Sequence, residues 1–172
     1  MKFSGRIWKL VDESGDLIDD IDTDQIYHNS HLAVTDLDEM GQFTLGNLEG
    51  WEDFPEKADE GDIIIAGENF GSGSSRQQAV DCFISLGIRC ILARSWGAIY
   101  KRNAINSAFP IFTISNLGGD SLISGDRIEF GTESGEIRKD SRIVGQIVIP
   151  SEVQMDILEA GGLFEYGKRI KG

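Results

Sequence analysis

Positive charge is sparse in the first half of this chain. No arginine stands between Arg6 and Arg76, and residues 11–62 hold 17 Asp and Glu against the single cation Lys57. That stretch carries −16 of a total of −13, so the rest of the chain is at +3. Binding a phosphate backbone needs clustered Lys and Arg, so no nucleic-acid partner is expected, and the acidic stretch reads as a solvated face. Long apolar runs are missing too. No segment approaches the ~20 residues a spanning helix needs, and MKFSGRIWKLVDESG at the start has no apolar core ending in a small-residue cleavage site. The expectation is a soluble, cytoplasmic protein with no membrane partner. Cysteine is scarce: Cys82 and Cys90 stand in apolar patterns without CxxC spacing, as buried free thiols do. The two histidines, His28 and His31, do not make a metal-ligand set, so no metal site is expected on this chain. At 172 residues with ordinary apolar content, one domain spanning 1–172 is expected.

The elements that remain can be read from their periods. KFSGRIWKLV opens as a strand and DESGD punctuates it. LIDDIDTDQIYHNSHLAVTD scatters apolar residues among Asp, Asn, Ser and Thr, the pattern of an ordered and often functional loop. GDIIIAGENF has the unbroken apolar centre of a strand covered on both faces. Ala79, Cys82, Phe83 and Leu86 then recur at helical spacing, and Gly87 stops the helix. IRCILARS is a second buried strand, WGAIYKRNAINSA a helix and FPIFTIS a third strand. DRIEFGTESGEIRKD is a hairpin turning at Glu133-Ser134-Gly135, and GQIVIPS one more strand. SEVQMDILEAGG is a C-terminal helix capped by Ser151 and stopped by Gly161 or Gly162. Alternating strands and helices imply parallel pairing through right-handed crossovers, and the tail adds antiparallel character. The fold class is α/β, in layers, with a mixed sheet.

GENFGSGSSRQQAV, residues 67–80, joins the first buried strand to the helix. Ligands of open α/β sheets gather at such strand ends, and the unpaired N–H groups of a first helical turn favour a carboxylate or phosphate. A P-loop would need lysine after its last glycine, where Ser74 stands, and the dinucleotide fingerprint would need glycine where Arg76 stands. Ser74 to Gln77 and Ser75 to Gln78 each fit the S-x-x-Q capping box. One cap uses one serine, which leaves the other beside Arg76, whose planar fork suits a carboxylate. From these residues alone, a helix cap and a functional site both stay open.

The same stretch resembles the G-x-N-[FY]-G-x-G-S-S-R motif of the small, swivelling domain of the aconitase superfamily. DIDTDQI resembles that domain's N-[IV]-D-T-D-x-I element, and the later IRCILARSWGAIYKRNAINSAFPIF keeps the order and spacing. The length is similar to that of the free-standing small subunits of the isopropylmalate dehydratases within that superfamily. The resemblance implies a layered β/β/α swivelling domain with a mixed, mainly parallel central sheet. It also implies a hydro-lyase active only with a large subunit, in a heterodimer or heterotetramer, on a small hydroxy-acid substrate. Ser74 would match the catalytic base, Arg76 would bind a substrate carboxylate, and Ser75 and Gly73 would lie at the carboxylate side. Thr23 would line the pocket with Asp24, a catalytic member that supports acid–base groups of the partner. The 4Fe-4S cluster would be bound by the large subunit and no cofactor by this chain.

One departure from the family pattern bears on substrate. Relatives acting on tricarboxylates carry an arginine shortly after the DTD element; here the loop reads His31, Leu32, Ala33, Val34, with Ala33 in that place. A distal carboxylate would find no fixed cation, so an alkyl substituent fits better and isopropylmalate is expected. Another branched malate such as 2,3-dimethylmalate, a homoaconitase role, and a non-catalytic carboxylate-binding module are the alternatives.

Overall fold

The structure is a computed structural model that describes residues 1–118 and 121–172. Its strands are β1 (Lys2–Lys9), β2 (Ile63–Ala66), β3 (Cys90–Ala93), β4 (Ile111–Leu117), β5 (Arg127–Gly131), β6 (Glu136–Lys139) and β7 (Arg142–Ile147). They close into a barrel in the order β1-β2-β3-β4-β7-β6-β5. Among the described residues three pairings are parallel, β1 with β2, β2 with β3 and β3 with β4. The other four are antiparallel. The mixed sheet is as expected. Its arrangement as a mainly parallel sheet in layers is not: the parallel set is flanked by β5 on β1 and β7 on β4, and β6 bridges these two, so the sheet curls shut.

The unbroken apolar runs of β2 and β3 are explained by this closure. Ile63, Ile65, Cys90 and Leu92 face the barrel interior, which all seven strands fill and where Phe3, Phe112 and Phe130 form an aromatic cluster with centroids 5.0–5.3 Å apart. Ile64, Ala66, Ile91 and Ala93 point the other way, into a second core beneath α4 (Gln78–Ser85) and α5 (Ala98–Asn106). Strands buried on both faces lose the alternation that half-exposed strands show.

The crossover from β1 to β2 contains three short helices, α1 (Thr23–Ile26), α2 (Leu37–Met40) and α3 (Phe54–Lys57). The stretch read as an ordered loop therefore includes α1. A capping box fixes it: Asp22 Oδ1 accepts from Gln25 N at 2.8 Å while Gln25 Oε1 accepts from Asp22 N at 2.9 Å. At the other end α6 (Glu152–Ala160) starts at Ser151, whose side chain accepts from Gln154 N, and stops at Gly161 in the left-handed region, as expected. A further helix, α7 (Leu163–Lys171), follows directly; it buries no residue, although Leu163, Tyr166 and Ile170 recur at helical spacing.

Asp62 ties the crossover to the barrel. Its carboxylate, on a side chain only 5% exposed, accepts from Arg6 Nη2 at 2.6 Å, Trp8 Nε1 at 2.7 Å and Asp59 N at 2.9 Å. Burial opposes ionisation, but the Arg6, Asp59 and Trp8 donors outweigh it and hold the carboxyl below the usual carboxylate range. Asp62→Ala is expected to lower stability by about 2–3 kcal/mol, measured by urea denaturation at neutral pH, because Arg6 and the indole lose their acceptor. This contribution is complete above the ordinary aspartate range and is lost as pH falls through the lower native value. A difference between wild type and variant that does not shrink on acidification overturns the assignment.

Candidate active site

Past the ends of β2 and β3 the backbone pairing continues in three short segments. Gly71 N donates to Ile21 O at 2.8 Å and Thr23 N to Ser72 O at 2.9 Å; on the other side Phe70 N donates to Ser95 O at 3.1 Å and Gly97 N to Phe70 O at 2.8 Å. The turn that begins at Gly71 is thus held between the DTD segment and the residues after β3. Gly71 has φ +78°, and a Cβ there would fall 2.2 Å from Tyr100 Cγ, so the close seating of the turn on the buried Tyr100 ring requires glycine.

Thr23, Asp24, Gly73, Ser74, Ser75 and Arg76, the set implied by the resemblance, lie together. The Thr23 hydroxyl donates to Ser74 O at 2.9 Å, and Gly73, at φ +94°, lies against Thr23. Ser74 is exposed, and its hydroxyl has no protein partner among the described residues. Ser75 Oγ accepts from Asn103 Nδ2 at 3.3 Å. Arg76 Nη1 donates to Asp24 Oδ1 at 2.8 Å and to Tyr27 O at 3.0 Å, while its Nε and Nη2 have no acceptor among the described residues. The Arg76 side chain is only 15% exposed, so its direction is fixed and one edge of the guanidinium is left for a ligand. The Arg76 bond, opposed by partial burial and aided by Asn29 N–H, holds the Asp24 carboxyl below the usual carboxylate range. Asn47 Nδ2 donates to Asp24 Oδ2 at 3.1 Å. Asp24 is therefore an ionised partner of the arginine.

The capping expectation fails. Helix α4 starts after Gln77, and neither Ser74 nor Ser75 caps it. The preceding residues are committed to pairing with Ile21–Thr23, so the chain turns into the helix too late for either serine. The box the chain forms is the D-x-x-Q of residues 22–25. Gln77 makes no cap bond either: its Nε2 donates to Asp81 Oδ1 at 3.0 Å and Ser107 Oγ at 2.8 Å. With both serines released, the backbone N–H groups from Ser72 to Gln77 have no protein acceptor among the described residues. Together with the open edge of Arg76 they form a set of donors suited to an anion.

The loop expected to meet the substrate's far end is tied to this turn at two points, by Arg76 on Tyr27 O and by Gln78 Nε2 on Leu32 O at 3.4 Å. His31 stacks its ring on Phe43 at 3.8 Å, and its carbonyl accepts from Tyr27 Oη. Leu32 and Val34 pack on the core, and Ala33 is exposed. The roles of Tyr27 O, Asn47 and Asn103 were not foreseen; Asn47 lies 23 residues from Asp24 and Asn103 28 from Ser75, and no local spacing links such pairs.

The thiols do not suit a cluster. Cys82 and Cys90 are fully buried in different cores, Cys82 Sγ faces Ala79 O, and burial pushes the Cys82 thiol up to about 12 and that of Cys90 further. Among the described residues no group of three or more His, Cys, Asp or Glu is placed to hold a metal ion.

A Thr-Asp element cross-linked to a Gly-Ser-Arg turn past the parallel strands of a mixed barrel defines an aconitase-type domain. Residues 18–116 match the family described as the aconitase C-terminal domain, and the chain belongs to that family. Its relatives include small subunits. The 3-isopropylmalate dehydratase small subunit of Aquifex aeolicus is 39% identical over 98% of this chain and 95% of its own. The isopropylmalate/citramalate isomerase small subunit of Methanocaldococcus jannaschii is 37% identical, with 96% and 93% covered. The methanogen homoaconitase small subunit of the same organism is 40% identical, with 89% and 88% covered. The crystal structure of 3-isopropylmalate dehydratase from Methanocaldococcus jannaschii superposes with a TM-score of 0.84 at 35% identity, covering 99% of this chain and 96% of that one. No helix among the described residues is long and apolar enough to cross a membrane.

Gly71→Ala should destabilise the protein more than Gly73→Ala. Both positions have positive φ, but only the Gly71 Cβ would strike a buried ring, whereas that of Gly73 would clear Thr23 Oγ1 at 3.5 Å. Thermal denaturation of the two variants checks this; equal losses would mean that Tyr100 yields.

Proposed function

We propose that this chain is the small subunit of a cytoplasmic hydro-lyase that interconverts 2-isopropylmalate and 3-isopropylmalate by dehydration and rehydration. It would work in a heterodimer or heterotetramer with a large subunit carrying the 4Fe-4S cluster. The observation that carries this reading is the pairing of an unengaged Ser74 hydroxyl with an Arg76 whose one edge is locked and whose other edge is open.

In this reading the open edge of Arg76 takes a substrate carboxylate, and the free N–H groups from Ser72 to Gln77 and the Ser75 hydroxyl supply donors where negative charge grows. Ser74 Oγ, as the alkoxide, takes the proton from the substrate carbon and returns it on rehydration. Donors and a fixed cation beside a serine favour the alkoxide over the neutral hydroxyl. Thr23 holds the Ser74 backbone in place, and Asp24 keeps Arg76 aimed. The leaving hydroxyl is the large subunit's task.

Identity does not choose the substrate, since the homoaconitase relative at 40% stands level with the dehydratase relative at 39%. The loop does. The cations nearest to it in sequence are engaged elsewhere, Lys9 with Leu122 O at 2.8 Å, Lys57 with Asp53 at 2.8 Å and Arg6 with Asp62, while the loop itself presents the exposed Ala33 between Leu32 and Val34, both partly buried against the core. An alkyl group is stable there and a third carboxylate is not.

Co-expression with the cognate large subunit and anaerobic assay test both points. Ser74→Ala should cut turnover at least about a thousandfold with assembly intact, and activity within a few-fold of wild type would remove Ser74 from the role of base. Ala33→Arg should raise the specificity for homocitrate relative to isopropylmalate at least about tenfold. An unchanged ratio would show that this loop does not meet the far end of the substrate.

A further inference from the structure

The last turn of α5 is bonded to the catalytic turn at two points, neither of which belongs to the assigned set. Ser107 Oγ donates to Asn103 O at 2.9 Å and accepts from Gln77 Nε2 at 2.8 Å, and Gln77 Nε2 spends its other hydrogen on Asp81. Asn103 sits one helical turn back with its amide Nδ2 on Ser75 Oγ. A hydroxyl has one proton to give and two lone pairs to receive with, and an amide NH2 can only donate. Asn103 therefore occupies Ser75 from its acceptor side and leaves the Ser75 proton to point elsewhere. No other protein group among the described residues takes that proton.

We propose that Asn103 is a positioning residue that keeps the Ser75 hydroxyl a donor toward the substrate oxyanion, with Gln77 and Ser107 holding α5 at the distance this needs. The inference rests on the function proposed above. It gives the glutamine at 77 a reason, because a carboxylate there could donate to neither Ser107 nor Asp81 and would face the Asp81 charge.

The test uses the assembled enzyme with Asn103→Ala, Asn103→Asp and Ser75→Ala, alone and combined. Asn103→Asp keeps the shape but reverses the bond: its carboxylate accepts the Ser75 proton and removes the donor from the substrate. A donor role predicts that kcat falls more for Asn103→Asp than for Asn103→Ala, which should lose roughly tenfold, less than the loss of a whole oxyanion donor. A packing role predicts the opposite order, since the aspartate is isosteric. Because the added charge would also oppose the growing oxyanion and lower kcat, the uncharged pair Asn103→Gln and Asn103→Leu separates the two effects: a donor role predicts more kcat retained by Asn103→Gln. In the Ser75→Ala background, Asn103→Ala should cost nothing further in kcat. Asn103→Asp milder than Asn103→Ala, or full additivity with Ser75→Ala, overturns the proposal. Matched melting temperatures and copurification with the large subunit identify variants that are merely unfolded, and for these the assembled Asn103→Gln, which keeps the donor, should retain more kcat than Asn103→Leu; equal values overturn the proposal as well. An inactive wild-type complex, or an active Ser74→Ala, points instead to failure of the underlying function.

Discussion

Thr23 makes two bonds on which the site depends: its N–H to Ser72 O and its hydroxyl to Ser74 O. These bonds join a segment from the long acidic crossover to the turn after β2. Every other feature of the site follows from that join. It places Asp24 where it meets Arg76, it commits the residues that could have capped α4, and it leaves a run of backbone donors open. A turn bound this firmly on both flanks can keep polar groups unsatisfied toward solvent without collapsing onto them, which is what preorganised electrostatics requires.

The barrel supplies the rigid base. β2 and β3 are buried on both faces, so the residues just beyond their ends inherit fixed positions, and Tyr100 presses against the turn from α5. The two cores divide the work: one fills the barrel, while the other seats the helices and the crossover. Asp62 connects them by binding side chains of β1 and the backbone of the crossover at once.

Local patterns carried much of this into the sequence. Continuous apolar runs marked β2 and β3, the spacing of Ala79, Cys82 and Phe83 marked α4, and Ser151 with Gly161 bounded α6. Closure of the sheet was illegible because it rests on β1 pairing with β5 and β4 with β7, contacts between residues far apart in the chain. The cap was misread for a related reason. Two S-x-x-Q matches and one D-x-x-Q match look alike in one dimension, and only the tertiary pairing of residues 21–23 with 70–72 decides which of them forms. The site residues of the two motifs were legible together as a resemblance, whereas Asn47 and Asn103 reach it from distant segments with no spacing to reveal them.

Closure has a consequence for assembly. Among the described residues the sheet has no free edge, so no strand of the barrel is open for another chain to lengthen by main-chain hydrogen bonds. In the proposed complex a large subunit would recognise it through side chains and loops, and the mouth that carries Ser74 and Arg76 is itself made of loops. Recognition and chemistry would then use the same surface, and the site would be sealed from water only while the two chains are joined.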